Sequence, residues 1–253
     1  LQSQRILIGI PARMGSRRLP GKPLVKINGI PLVVHVAKGC DGVRNADVIV
    51  LTDSEEVMNE VKSYGFKAEL VKGDFASGTE RLAHYVMGKN CYDIVFNVQG
   101  DEPLVKSYII EKGIEEFTKF PDIEFLTFAT TKLHFPEEYH DPNVVKVVVD
   151  SQGFAIYFSR SPIPFFRDAI ISDYLPLKHV GIYAFRRESL LRYIKMRKGE
   201  LEKIECLEQL RIIENSEKIK VIILNEEMIS VDVPGDVEKV ERLIGRGKQV
   251  ENK

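Results

Sequence analysis

In the first half of the chain, short runs rich in Val and Ile alternate with longer segments of helical spacing, which restricts the fold to βαβ units on a parallel sheet. "RILIGIPA" reads as a strand. "PLVVHVAKGC" reads as a helix despite its β-branched residues, because parallel neighbours need a crossover between them. "ADVIVLTD" is the next strand and "SEEVMNEVKSYG" the next helix, with Ser54 as its N-cap and Gly65 as its stop. A short strand "KAELV" follows, then a helix "SGTERLAHYVMG" capped by Ser77 or Thr79 and ending at Gly88. "YDIVFNVQGDEP", almost continuously apolar before a polar loop, fits a strand buried on both faces.

Beyond Pro121 the strands follow one another more closely: "EFLTFATTK", "NVVKVVVD", "FAIYFSR" and "HVGIYAFR". Asp150-Ser151-Gln152-Gly153 is a turn signal between two β-rich runs, which predicts a hairpin. Helices are expected through "ESLLRYIKM", through "IECLEQLRIIENS" and, after the strand "KIKVIIL", through "PGDVEKVERLIGRG". There is no internal repeat and no low-complexity linker. The pattern predicts an α/β protein: a single-domain, three-layer α/β/α sandwich over 1–253, with a mixed, mostly parallel sheet and a β-rich excursion at about 130–180.

Length and charge exclude several function classes. A chain of 253 residues with 44% hydrophobic content can bury a large core. Its formal charge of −1 offers no global field for nucleic acid or anionic membrane, so any basic site must be local. No run approaches a membrane span, and "LQSQRILIGI" lacks the parts of a secretory signal, so a soluble cytoplasmic protein is expected. Cys40, Cys91 and Cys206 are far apart, odd in number and without C-x-x-C spacing, which fits reduced, partly buried thiols better than disulfides or zinc.

The local basic site is "IPARMGSRRLPGKPL", Ile10 to Leu24. It is not a P-loop. Five residues, Ser16 to Pro20, separate Gly15 from Gly21, and Lys22 is followed by Pro23 where a magnesium-binding hydroxyl would stand. Pro20 and Pro23 also remove backbone donors, and no G-x-G-x-x-G is present, so side chains must do most of any anion binding here. Arg13, Arg17, Arg18 and Lys22 suit a triphosphate, since guanidinium grips two phosphate oxygens and ammonium adds a compact charge. A solvated basic loop has the same composition; what favours a site is its position directly after a strand.

Ligands of an open parallel sheet bind beyond the carboxyl ends of the strands. That rule also selects Asp53 after "VLT", Gln99, Asp101 and Glu102 after "DIVFNV", and Asp232 in "ISVDVPGD". Asp101 reads equally as a turn former, and Asp232 as a helix cap, with Asp236 able to cap the last helix instead. Beside a phosphate site, however, a carboxylate needs a cation between it and the phosphate. Magnesium meets that need, taking one or two carboxylates, here Asp101 and Asp232, together with phosphate oxygens and water.

In order along the chain, "PARMGSRRLPGKPL", "FNVQGDEPLV", "ASGTERL", "YFSRSPIPF", "KHVGIYAFRRESL", "LEQLRIIE" and "VDVPGDVEKV" resemble the 3-deoxy-manno-octulosonate (KDO) cytidylyltransferases, from about Ile6 to Leu243. Arg17, where that family usually has Thr or Ser, and Gly235, usually acidic, are departures. The resemblance implies a fold of the nucleotide-diphospho-sugar transferase type and a homodimer built partly from the β-rich excursion. It implies a magnesium-dependent reaction of CTP with KDO, giving CMP-KDO and pyrophosphate for lipopolysaccharide biosynthesis.

By the same resemblance, Pro11, Ala12, Arg13, Ser16, Arg18, Lys22, Ser77, Gly78, Arg81 and Gln99 form the nucleotide site. Arg18, Lys22 and Asp101 are the catalytic set, and Asp101 and Asp232 hold the metal. Gln99, Arg160, His179, Tyr183, Glu208 and Gln209 resemble the sugar-binding set. Taken alone, Ser77 reads as a plain helix cap, His179 as a structural histidine and "LEQLR" as a half-exposed helix face. "SPIPFFRDAIISDYLP" after Arg160 fits an active-site cover, a subunit contact or part of the core. A cytidylyltransferase for a related acid, such as 8-amino-KDO or a sialic acid, is the alternative function.

Overall fold

The structure is a computed structural model and describes residues 4–16, 18–167 and 174–250, the side chains of 246–250 excepted. The chain folds as two compact units, Leu1–Ile114 with Met228–Lys253, and Glu115–Glu227. Strand pairing is mixed and mostly parallel and the strands are flanked by helices, so the class is the expected α/β. Among the described residues no helix is long and apolar enough to cross a membrane.

The first unit begins with β1 (Ile6–Ala12), buried at every residue. A 3-10 turn (Lys22–Leu24) and the small ribbon of β2 (Lys26–Ile27) and β3 (Ile30–Pro31) lead into α1 (Leu32–Cys40). Next come β4 (Ala46–Thr52), α2 (Glu55–Ser63), β5 (Lys67–Leu70), α3 (Gly78–Met87) and β6 (Ile94–Val98). α1 is helical despite three β-branched valines because it buries Leu32, Val33, Val34, Val36, Ala37 and Cys40. Gly39 permits that packing: a Cβ there would lie 2.1 Å from the Val105 carbonyl oxygen. Ser54 and Ser77 cap their helices as expected, accepting from Val57 N and Glu80 N.

Within this unit β1 pairs in parallel with both β4 and β6, and β4 with β5, giving the order β6, β1, β4, β5. The chain therefore steps outward from β1 to β5 and returns to the other side of β1. Strand order reverses between β1 and β6, which places the loops after these two strands at a topological switch point.

α4 (Ser107–Lys119), in a stretch for which the sequence analysis assigns no element, runs from the first unit into the second. The second unit continues with β7 (Phe125–Thr130), the short α5 (Glu137–His140), β8 (Lys146–Val149), β9 (Ala155–Ser159) and β10 (Leu177–Arg186). α6 (Arg187–Tyr193), α7 (Glu200–Glu205), α8 (Leu210–Glu214) and β11 (Ile219–Leu224) complete it. β7 pairs in parallel with β11 and antiparallel with β10, which also pairs with β8. The β8–β9 hairpin forms as expected: Asp150 Oδ1 accepts from Gln152 N and Phe154 N, and Gly153 has φ +77°.

One expectation is corrected here. "IECLEQLRIIENS" is two short helices, because Cys206 adopts a left-handed φ of 53° and ends α7. A bidentate pair from Arg211 to Glu202, at 2.8 and 2.6 Å, holds α8 against α7. The thiols are free, with Cys40 buried and Cys91 and Cys206 exposed. Back in the first unit, α9 (Pro234–Val250) is the last element, and Asp236 accepts from Val233 N at 3.1 Å at its start.

Candidate active site

The loop after β1 is tethered by one apolar side chain. Leu19 is buried with Ile27, Leu32, Val231 and Val240. This cluster fixes the middle of a loop whose cations remain outside, and it draws the Val231–Asp232 segment to the same place. Arg13 and Arg18 are exposed, and Arg17 lies outside the described residues. Ser16 Oγ accepts from Leu19 N at 3.3 Å, so it shapes the loop while keeping its own proton for donation.

Lys22 Nζ donates to Asp101 Oδ2 at 2.5 Å and to Asp232 Oδ1 at 2.9 Å, and Arg18 Nη2 lies 3.0 Å from the same Asp232 oxygen. Burial would lower the pKa of Lys22, but the two carboxylates outweigh it and leave the ammonium more firmly charged. Asp101 is held in turn by its backbone, whose carbonyl accepts from Val231 N at 2.9 Å. Next to it Glu102 is buried and accepts from Ser230 Oγ at 2.5 Å, a second tie between the two segments.

Two carboxylates converging on one cation are a donor set that fits magnesium: hard oxygens, few in number, beside cations suited to phosphate. No group of three or more His, Cys, Asp or Glu able to hold a metal occurs among the described residues. Asp101 and Asp232 are two carboxylates, the number that magnesium takes from a protein when phosphate oxygens and water supply the rest of its shell.

Pro11 and Ala12 are the buried end of β1. A Cβ on Gly100 would lie 2.8 Å from the Pro11 carbonyl oxygen, and one on Gly78 2.7 Å from Pro11 Cγ and 3.4 Å from Gln99 Oε1. The two glycines thus let the α3 N-terminus and the post-β6 loop close on β1, bringing Pro11, Gly78 and Gln99 together. Ser77 is the cap that its plain reading describes. Arg81 is an anchor: its guanidinium is buried, donates to the Val71 carbonyl and reaches Asp53 Oδ2 at 2.9 Å. Asp53 Oδ1 in turn accepts from Met14 N at 3.4 Å, linking the basic loop to α3.

The other sugar-binding candidates belong to the second unit. Tyr183 donates to Gln209 Oε1 at 3.1 Å, and the Gln209 Nε2 group is buried with no hydrogen-bond partner among the described residues. "LEQLR" is therefore not a half-exposed helix face: Leu207, Gln209, Leu210 and Arg211 are all buried. The His179 ring lies tilted against Tyr183, centroids 5.3 Å apart, and edge-on to Phe158 at 5.2 Å. Its Nε2 lies 2.9 Å from Thr127 Oγ1, which donates to the Ile182 carbonyl and so accepts from an Nε2-protonated ring. Burial lowers the His179 pKa to about 3, keeping the ring neutral. Arg160 gives Nε to the Glu205 carbonyl at 2.8 Å and Nη1 to the Pro142 carbonyl at 2.9 Å.

Sequence reasoning did not single out Leu19, which carries no chemistry, or Asn97, which is buried on β6. Asn97 Nδ2 donates to Thr79 Oγ1 at 2.8 Å, and its Oδ1 has no hydrogen-bond partner among the described residues. Position was the available signal: an amide inside an otherwise apolar run, four residues before Asp101 of the next loop.

A cytidylyltransferase family model matches residues 7–219. A 3-deoxy-manno-octulosonate cytidylyltransferase of Geotalea daltonii is 43% identical over 249 residues, covering 94% of this chain and 98% of the relative. One of Fusobacterium nucleatum is 41% identical over 231 residues, covering 91% and 93%. Among solved structures, CMP:2-keto-3-deoxy-manno-octonic acid synthetase complexed with CTP matches with a TM-score of 0.88 and 37% identity, over 96% of this chain and 100% of that one.

Proposed function

The chain belongs to the 3-deoxy-manno-octulosonate cytidylyltransferase family, and from that premise we propose that it transfers CMP from CTP to the anomeric hydroxyl of KDO, releasing pyrophosphate. The observation that carries the chemistry is the meeting of Asp101 and Asp232 at Lys22, with Arg18 on the same oxygen, beyond the ends of β1 and β6.

The bond made joins the sugar oxygen to the α-phosphorus, and the bond broken releases pyrophosphate. Such a transfer needs alignment and charge neutralisation more than covalent catalysis. Arg13, Arg18 and Lys22 bind the β- and γ-phosphates and stabilise the negative charge that gathers there, with a further hydrogen bond from Ser16. Pro11, Ala12, Gly78 and Gln99 form the close-packed wall for the nucleotide, and Ser77 and Arg81 fix that wall in place. Asp101 and Asp232 would hold magnesium, whose charge would polarise the phosphate and lower the pKa of the attacking hydroxyl.

In the second unit, Arg160 and the polar set of His179, Tyr183, Glu208 and Gln209 suit a sugar acid. Arg160 has five N–H groups, three of which go to backbone carbonyls, and the other two suit a carboxylate. The Gln209 Nε2 group, with no hydrogen-bond partner among the described residues, suits a sugar hydroxyl, since a buried donor left unmade is costly. The neutral His179 offers a hydrogen bond without adding charge. A cytoplasmic homodimer completes the reading, in accord with the exposed Phe165 of the Pro- and aromatic-rich stretch, of which 168–173 lie outside the described residues.

The test is competition: KDO, 8-amino-KDO and a sialic acid supplied together with CTP and magnesium, with products separated by mass. CMP-KDO as the main product supports the assignment. A predominance of either other conjugate moves the assignment to that acid.

A further inference from the structure

We propose that Glu205 is a positioning residue for the sugar-acid site, its carboxylate fixing the strand end that carries Arg160 to the turn that carries Glu208 and Gln209. The inference rests on the KDO reading above for the role of those three residues.

Glu205 ends α7 and faces the end of β9. Its Oε1 accepts from Ser159 Oγ at 2.6 Å and from Tyr157 Oη at 3.4 Å, and its Oε2 accepts from the backbone N–H of Arg160 at 3.0 Å. Arg160 answers with its side chain, giving Nε to the Glu205 carbonyl at 2.8 Å and Nη2 to the Cys206 carbonyl at 3.5 Å. Two residues 45 apart in sequence therefore clasp each other in both directions. Cys206 is the left-handed residue that turns the chain, so the same clasp sets where Glu208 and Gln209 begin.

Charge makes the carboxylate hard to replace. Lys146 is buried and spends its three donors on the carbonyls of Asp141, Val144 and Arg160, at 2.9, 2.6 and 2.7 Å. Burial lowers its pKa; the charge of Arg160 lowers it further, while Asp141 and Glu205 oppose this. Glu205 is thus one of two anions, with Asp141, that offset burial and the charge of Arg160 at Lys146, and removing its charge leaves Asp141 alone to do so. Glutamine keeps the shape but not the charge: with its amide oxygen on the Arg160 N–H, its NH2 group can only donate to Ser159 Oγ and Tyr157 Oη, which reverses both of those bonds. None of these contacts reaches a residue of the nucleotide site.

The experiment compares KM for the sugar acid that the wild type turns over, KM for CTP, and Tm, in full-length Glu205→Gln, Ser159→Ala and Tyr157→Phe. Loss of the charged acceptor is expected to raise KM for the sugar acid about tenfold in Glu205→Gln and about threefold in Ser159→Ala, with KM for CTP within about twofold of wild type. Tyr157→Phe, which loses only the long contact, should leave both constants in place. An unchanged sugar-acid KM in Ser159→Ala and Glu205→Gln would overturn the proposal, as would an equal rise in both constants, which marks general loosening. Should Glu205→Gln fail to fold, Ser159→Ala decides alone. A wild type that prefers another acid overturns the KDO reading, and the series run with that acid still decides the role of Glu205.

Discussion

Lys22 and Asp232 stand 210 residues apart in the chain and 2.9 Å apart in the fold. Asp101 meets the same ammonium at 2.5 Å, so the loop after β1, the loop after β6 and the segment before α9 share one charged centre. Without Lys22 the two carboxylates would repel each other; with it they are held ready for a cation.

Lys22→Met should lower kcat/KM with CTP by about two to three orders of magnitude, the usual cost of losing a group aimed at developing charge. The variant should also gain more Tm from added magnesium than the wild type does, because a divalent ion then relieves the repulsion between Asp101 and Asp232. Activity within tenfold of wild type, or equal metal shifts, would count against the role of Lys22.

Leu19 touches no substrate in this account, yet it holds the basic loop on the α9 side of the first unit. Leu19→Ala should cost about 2 to 3 kcal/mol in urea unfolding, the lower part of the range for a buried leucine, since it lies at the margin of its cluster. KM for CTP should rise with the loosened loop. A stable variant with unchanged KM would show that the tether is dispensable.

Gly100→Ala places a methyl group 2.8 Å from the Pro11 carbonyl oxygen, a backbone atom that cannot rotate away. The post-β6 loop must then shift from β1 and carry Asp101 with it. Loss of CTP turnover with a small change in Tm is the expected result, and near-normal turnover would contradict the close packing.

His179 gives the pH prediction. Its ordinary pKa of about 6.5 in the unfolded chain falls to about 3 in the fold, through burial. Between those values the unfolded chain binds the extra proton, so this group's contribution to stability is complete above about pH 6.5 and is lost as pH falls toward 3. In a proton NMR titration the His179 ring should show no charge change between pH 8 and about 5. A midpoint near 6.5 would refute a neutral, Thr127-bound imidazole.

Local signals made much of the fold legible. Ser54 and Ser77 are caps because their hydroxyls reach donors three residues on, and the Asp150–Gly153 turn follows from a side-chain acceptor and one positive φ. The strand-end rule led to Lys22 and Asp101, since a parallel sheet delivers its loops to one edge; Asp232 follows no strand directly and is brought there by the Val231–Asp101 backbone bond. What stayed hidden depends on distant partners. Cys206 adopts φ +53° with no glycine to announce it, held by Arg160 on its carbonyl and by the Glu202–Arg211 pair. Likewise, Arg81 belongs to a motif that carries the resemblance, but its partners Val71 and Asp53 lie in other segments and are visible only in the fold.

The central claim is most directly tested by pyrophosphate release from each of the four common nucleoside triphosphates, with KDO and magnesium, for the wild type and Asp101→Ala. The account predicts release with CTP alone, abolished by chelation and by the substitution. Release with another triphosphate at a comparable rate, or undiminished release from Asp101→Ala, would contradict it.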